Sequence, residues 1–192
     1  MENWRIDTKL FVGGGGRAMP EGEPNLTDLL RYWRTMAREV ETSGASGIPD
    51  RRAIDPIAVP RLLANLFIVA APGRDHERVR LAGTALVDHL GCDPTGQPVA
   101  GLDVAQGFDA VCRPVTRAVA AQTAPVHAGG VHAGPTGAPF RWEMVMCPLR
   151  DGGPGIDAAI GCFVTRSASA GPASVKAGCE FVEPADRLLA AA

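Results

Sequence analysis

The stretch from Val79 to Gly96 constrains the fold most, because a strand gives way to a helix within a few of its residues. Val79 and Leu81 alternate with Arg78 and Arg80, and this period of two is the pattern of a half-buried strand. The rest of the chain is interpreted around this change from strand to helix.

A helix of one to two turns follows the strand after Gly83. It carries three apolar residues, Leu86, Val87 and Leu90. We expect the hydroxyl of Thr84 to cap it, by accepting a proton from an amide that the first helical turn leaves without a partner. We expect Gly91 to end it, since glycine adopts the left-handed conformation at little cost.

Two longer segments, residues 25–41 and 108–122, have apolar residues at the spacing of an amphipathic helix. In the first these are Leu26, Leu29, Leu30, Trp33, Met36, Ala37 and Val40. In the second they are Phe108, Val111, Cys112, Val115, Ala118 and Val119. Pro114 predicts that the second helix begins or bends near it. Asp55 is expected to cap a short turn that starts at Pro56.

Four more segments are predicted to be strands: residues 66–70, 125–131, 140–147 and 158–164. The connection over residues 71–77 is too short for the crossover that parallel strands need, so we expect the strands around it to be antiparallel.

The strand over residues 140–147 has the clearest pattern. Trp142, Met144 and Met146 share one face with Phe140, whereas Arg141 and Glu143 share the other. We therefore expect one face to be buried and the other to be polar.

Composition excludes several classes of protein. The formal net charge of −2 over 192 residues gives no basic surface for nucleic acid. The sequence contains no run of about 18 or more apolar residues, so it predicts no membrane-spanning helix. The five cysteines are odd in number and widely spaced, which favours reduced thiols and a cytoplasmic location.

The two ends of the chain differ from the middle. Residues 1–23 contain Gly13–Gly16 and are predicted to form a flexible arm, or a small docking segment. Residues 24–165 are predicted to form one domain. Residues 166–192 are predicted to be a tail of small residues with one last helical turn near its end.

Catalytic and metal-binding motifs are missing from the sequence. His127 and His132 are five residues apart on a predicted strand, so they point to opposite faces and do not share a metal. Gly13–Gly16 lacks the helix that a phosphate loop needs. We find no nucleophile elbow and no zinc helix. The chain is therefore not expected to be an enzyme or to bind a metal.

Three sets of short strings occur in order along the chain: Tyr32-Trp33-Arg34, then Ile54-Asp55-Pro56 followed by Val59-Pro60 and Leu62-Leu63, and then RLAGTAL from Arg80 followed by TGQP. Their order and spacing resemble those of a bacterial family of stand-alone PAS sensor domains. The resemblance implies an α+β fold: a five-stranded antiparallel sheet with short helices on one face, preceded by the amphipathic helix 25–41.

The resemblance also implies a space between the sheet and its short helices that holds a small ligand. The residues expected to line it are Leu81, Leu86, Leu90, Phe108, Val111, Val115, Val119, Trp142, Met144 and Met146. An apolar pocket with few polar groups is typical of small-molecule sites, but the same residues are also typical of a filled core, and the filled core is the favoured interpretation.

The leading helix of such a domain packs on the outer face of the sheet or against a second copy of the protein. Both alternatives are open. The expected interaction surface consists of Leu29, Trp33, Met36, Arg141 and Glu143.

The resemblance implies a cytoplasmic sensory module in signal transduction. Haem is not expected, because the helix 108–122 has no histidine, and flavin is not expected, because Cys92 lies in GCDPTG and not in the LOV motif. The expected partners are a small ligand, a signalling protein in trans such as a kinase or cyclase, and a second copy of the chain. The alternatives are a cone-shaped α+β enzyme or carrier and a ligand-free interaction domain.

Overall fold

The structure is a computed structural model that describes residues 24–42, 47–102, 108–133, 139–167 and 178–190. The helices are α1 (Pro24–Thr42), α2 (Thr84–Leu90), α3 (Phe108–Gln122) and α4 (Asp186–Ala190). The strands are β1 (Leu66–Ala70), β2 (Arg78–Ala82), β3 (Val126–Ala133), β4 (Pro139–Leu149), β5 (Ala158–Ser167) and β6 (Gly178–Pro184). They form one sheet in the order β2-β1-β5-β4-β3-β6. Each neighbouring pair is antiparallel.

The long helices and five of the strands are confirmed. The predicted helix 25–41 is α1, and the predicted helix 108–122 is α3, which begins at Phe108 and contains Pro114 in its interior. The predicted arm, residues 1–23, lies outside the described residues.

The prediction of five strands is short by one, because β6 forms within the stretch interpreted as a tail. This strand has no clear alternation of apolar and polar residues. It is held by backbone pairing with β3, from Val126 opposite Pro184 to Val131 opposite Gly178. The helical turn predicted after it is confirmed as α4.

A bulge in β2 changes the face on which one predicted pocket residue lies. Ile68 pairs with Leu81, but the next residue, Val69, pairs with Val79, so Arg80 is the extra residue of the bulge. Val79 is buried, whereas 46% of the surface of Leu81 is exposed. The prediction that Leu81 lines the pocket is therefore wrong, because the bulge breaks the alternation on which it depended.

Each face of the sheet has its own hydrophobic core. The face covered by α2 and α3, here called the inner face, contributes Phe67, Val69, Val79, Trp142, Met144, Met146 and Phe163. The outer face, covered by α1 and α4, contributes Leu66, Val145, Cys147, Leu149, Ile160 and Cys162. The structure is thus three layers, with the sheet between two sets of helices.

Helix α1 belongs to the folded chain's own core. Leu29, Trp33 and Met36 are buried on the outer face of the sheet. The prediction that these three side chains form an interaction surface is therefore wrong for the folded chain. Arg34 of α1 also forms an ion pair with Asp186 of α4. No helix in the described ranges has the length and apolar character that a membrane crossing requires.

Backbone groups, and not a side chain, cap the start of α2. The cap residue is Gly83, which makes no side-chain hydrogen bond, so the predicted role of Thr84 is wrong. The amide of Ala85 instead donates to the carbonyl of Ala64 at 2.8 Å. Gly91 ends the helix in the left-handed conformation at φ 71°, as predicted.

Candidate functional site

The structure brings nine of the ten predicted pocket residues together on the inner face. They are Leu86, Leu90, Phe108, Val111, Val115, Val119, Trp142, Met144 and Met146, all buried in one apolar cluster. The helix α2 supplies two of them, α3 supplies four, and β4 supplies three. The tenth residue, Leu81, lies on the opposite face.

Trp142 is the polar exception within this apolar cluster. Its side chain lies in the middle of β4 and is 1% exposed. Within the described part of the chain, its indole nitrogen Nε1 is buried and has no hydrogen-bond acceptor. The ring stacks on Phe163 of β5, with the ring centres 6.4 Å apart.

Aromatic rings surround Phe163 on its other sides. Phe108 of α3 meets it edge to face at 5.7 Å, and His89 of α2 lies 5.3 Å from it. His89 also contacts Phe140 at 4.8 Å. Such edge-to-face pairs are favourable beyond the area that they bury. The inner face beneath α2 is therefore an aromatic cluster that includes the half-buried imidazole of His89 and, among the described residues, the buried indole donor of Trp142.

A buried carboxylate, which the sequence did not reveal, joins the β1–β2 connection to α3. Glu77 is 2% exposed, and its Oε2 atom accepts from the amide of Gly73 at 2.8 Å and from the hydroxyl of Thr116 at 2.9 Å. The Nε atom of Arg113 lies 3.5 Å from its Oε1 atom. Glu77 thus fixes α3 at the margin of the inner face.

On the outer face, His127 lies between two carboxylates. Its Nε2 atom is 3.4 Å from Glu143 of β4, and its Nδ1 atom is 3.6 Å from Glu183 of β6. Glu143 and the exposed Arg141 lie on this polar side of β4, as predicted. The side chain of His132 lies outside what the structure describes.

A groove of about 360 Å³ lies between α1 and the turn that precedes β1. Its walls are Asp28 and Tyr32 of α1 and residues 58–62. It lies on the opposite side of the sheet from the predicted pocket.

The described residues contain neither a metal-binding cluster nor a disulfide. No group of three or more His, Cys, Asp or Glu side chains in the described ranges is arranged to hold a metal ion. No disulfide links any of the five cysteines, all of which are described. Burial raises the pKa of the Cys112 and Cys147 thiols, and it raises that of Cys162 to about 12.

Several solved structures resemble this chain in part. The PAS domain of BvgS from Bordetella pertussis is 16% identical, covers 60% of this chain and 89% of its own, and has a TM-score of 0.43. The LOV domain of the blue-light activated histidine kinase EL346 from Erythrobacter litoralis is 20% identical, covers 54% and 95%, and has a TM-score of 0.39.

The Vibrio cholerae protein VqmA, in a complex with ligand and DNA, is 14% identical, with a TM-score of 0.44. That match covers 59% of this chain and about half, 52%, of VqmA. Among curated proteins, none matches this chain.

The sequence model of one family matches residues 22–164, which is more than half of the 192 residues. The match begins just before α1 and ends within β5, so it includes α1, α2, α3, the strands β1 to β4 and most of β5. The chain belongs to the PAS domain family, and its role is that of a sensory signalling module.

Proposed function

We propose that this PAS domain senses a small, largely apolar ligand on the inner face of its sheet, beneath α2 and α3. The observation that carries the proposal is the indole N–H of Trp142, which is buried without an acceptor among the described residues. A ligand with a carbonyl, carboxylate or ring-nitrogen acceptor would satisfy that donor.

The energetics of the donor support this proposal. A buried donor without a partner costs about 1–3 kcal/mol, and an acceptor on a ligand would remove that cost. The neighbouring walls are aromatic and aliphatic, as in most small-molecule sites, where a few polar groups orient the ligand. The preferred ligand is therefore flat and apolar, with one acceptor at its edge.

The ligand would act by shifting the balance between two packings of α2 and α3 on the sheet. The size of the shift is limited by the difference in the ligand's affinity for the two packings. His89 of α2 contacts Phe140 and Phe163, and Phe108 of α3 contacts Phe163, so both helices would respond to a change in the aromatic cluster.

The output of the module is proposed to pass to a signalling protein in trans, or through a homodimer, in the cytoplasm. Leu29, Trp33 and Met36 are buried beneath α1, so the accessible predicted residues are Arg141 and, in part, Glu143. The change Arg141→Glu should weaken binding to a partner or to a second copy, measured by light scattering and by affinity capture with the full chain.

The contacts of the buried carboxylate Glu77 give it a structural role, so Glu77 does not supply the acid or base that the alternative, a cone-shaped enzyme, requires. Such an enzyme needs an acid or base that faces its cavity, whereas Glu77 accepts hydrogen bonds from Gly73 and Thr116. Its contacts are those of a structural group that positions α3.

Native mass spectrometry of the freshly purified full chain tests the ligand proposal. We expect a second species heavier by one small molecule. We expect Trp142→Phe to weaken the affinity for that molecule about tenfold and so to reduce the heavier species, since a hydrogen bond of about 1.4 kcal/mol corresponds to a factor of ten in the dissociation constant. Arg38→Ala, on the exposed side of α1, is the control and should keep the heavier species. A single species at the mass of the chain under the gentlest conditions would contradict the proposal.

A further inference from the structure

We propose that the segment from Asp55 to Asn65, here called the connector, couples α2 on the inner face to α1 on the outer face. Displacement of either helix would then change the stability of the other. The use of this coupling in signalling depends on the proposed ligand site, but the coupling itself does not.

The backbone of the connector is in close contact with the start of α2. The amide of Ala85 donates to the connector carbonyl of Ala64 at 2.8 Å. Just after the connector, the carbonyl of Leu66, the first residue of β1, accepts from the amide of Gly83 at 2.7 Å. A Cβ atom on Gly83 would lie 2.3 Å from the carbonyl oxygen of Leu63 and 2.4 Å from that of Ala64. Both neighbours are backbone atoms, so a movement of α2 at this end displaces the connector.

At its other end the connector is attached to α1. The backbone amide of Asp55 donates to the hydroxyl oxygen of Tyr32 at 2.7 Å. The carboxylate of Asp55 accepts from the amide of Ile57 at 2.9 Å, and this bond fixes the turn that follows. Tyr32 lies in the middle of α1, so a shift of this turn acts on the body of the helix and not on its end.

Between these two ends, hydrogen bonds and buried side chains hold the connector in place. The amide of Leu62 donates to the carbonyl of Val59 at 3.0 Å, and both side chains are buried in the same outer core as α1. Asn65 exchanges two hydrogen bonds with Phe163, one from its side-chain amide to the Phe163 carbonyl and one from the Phe163 amide to its own carbonyl, both at 3.0 Å. Because Phe163 stacks on Trp142, the connector also contacts the aromatic cluster.

Hydrogen–deuterium exchange of the full chain, without any ligand, tests the coupling. The two glycines at the ends of α2 provide matched variants. Gly83→Ala forces the connector to move, whereas Gly91→Ala strains a left-handed residue with nothing within 4 Å of the new Cβ atom. Both variants should accelerate exchange in α2. Only Gly83→Ala should also accelerate exchange in α1, by about fivefold or more, the lower end of typical coupling between sites.

Coupling is reciprocal, so the opposite experiment must also succeed. Tyr32→Phe removes the acceptor of the Asp55 amide and should accelerate exchange at Ala85 and through α2 by a similar factor. Thr35→Val, on the same helix, removes only a bond from the Thr35 hydroxyl to the Arg31 carbonyl and should leave α2 unchanged.

The proposal is overturned if Gly83→Ala leaves α1 exchange unchanged, or if Tyr32→Phe leaves α2 exchange unchanged. If Gly83→Ala does not yield folded protein, Tyr32→Phe decides alone. Since no ligand is added, loss of the proposed sensing function in native mass spectrometry would not affect this result, and absence of coupling would not affect ligand binding.

Discussion

The indole N–H of Trp33 donates a hydrogen bond of 2.8 Å to the carbonyl of Pro148. The bond joins the middle of α1 to the last residues of β4, and both Trp33 and Pro148 are buried. Pro148 lies one strand position from Cys147 and Leu149, which α1 also covers. The contact shows that the leading helix is part of the domain's fold.

Replacing Trp33 with Phe should destabilise the chain, because the Pro148 carbonyl would lose its donor in a buried position. We expect the free energy of unfolding in urea to fall by about 1–3 kcal/mol. Arg38→Ala, on the exposed side of α1, should change it by no more than about 0.5 kcal/mol. Equal effects of the two variants would show that the buried hydrogen bond contributes nothing.

The hydroxyl of Thr116 should contribute to stability through its bond to the buried carboxylate of Glu77. Thr116→Val keeps the shape of the side chain and removes the donor, so the free energy of unfolding should fall by about 1.5–3 kcal/mol, the range for hydrogen bonds to charged groups.

Thr35→Val is the control for this variant, since both threonines also donate to a carbonyl of their own helix. It should change the free energy of unfolding by about 0.5 kcal/mol or less. A Thr116→Val chain as stable as the Thr35→Val chain would contradict the role of Glu77.

Acid should weaken the junction between residues 50–52 and the β4–β5 loop. Hydrogen bonds from the side chain and then the amide of Arg52 hold the pKa of Asp50 well below its ordinary range. A hydrogen bond from Arg51 lowers the pKa of Asp151. In both cases the unfolded chain binds more protons, so stability is complete above the ordinary carboxyl pKa and is lost as the pH falls.

Urea unfolding across a pH series measures this effect. The free energy of unfolding should decrease between about pH 5 and pH 2, and Asp50→Asn should make that decrease shallower. Asp75→Asn, on the exposed β1–β2 connection, should keep the slope of the unchanged protein. A slope in Asp50→Asn identical to that of the unchanged chain would exclude Asp50 as a source.

The five thiols should differ sharply in reactivity. Cys92 is exposed, whereas Cys112, Cys147 and Cys162 are buried and their pKa values are raised. The thiolate fraction of each of these three cysteines is therefore small near neutral pH. Iodoacetamide at pH 8 should therefore modify Cys92 first and the buried three only after unfolding, as followed by peptide mass mapping. Equal rates at Cys92 and Cys147 in the folded chain would mean that α1 does not stay on the sheet.

Periodicity predicted the elements whose burial follows a regular repeat. Trp142, Met144 and Met146 on one side of β4, with Arg141 and Glu143 on the other, are placed as the pattern indicated. The bulge at Arg80 was not predictable, since it depends on how β2 registers with β1 and leaves no mark in the local pattern.

Interactions between distant backbone groups account for the other differences. Threonine often caps a helix, which is why Thr84 was predicted to do so. In the fold, the carbonyl of Ala64 accepts the hydrogen bond from the amide of Ala85 in the first turn of α2 instead. β6 has little alternation of apolar and polar residues, and it forms by backbone pairing with the side of β3 that does not pair with β4.

Side-chain contacts between residues far apart in the chain could not be predicted from the sequence either. Glu77 meets Thr116 across 39 positions of the chain. His127 meets Glu183 only through β6, whose pairing with β3 brings the two side chains together. Such pairs could not be chosen from the sequence alone.

The signal of the Trp142 indole proton in a ¹H–¹⁵N spectrum tests the central claim most directly. Trp142→Phe assigns the signal, which is then compared between protein purified without unfolding and protein refolded after urea and dialysis, and with small aromatic carbonyl compounds added to the refolded chain. We predict a downfield shift and slower solvent exchange in the first preparation, or on addition of a compound that binds. A signal at one unchanged position in both preparations and with every compound would contradict a ligand site on the inner face.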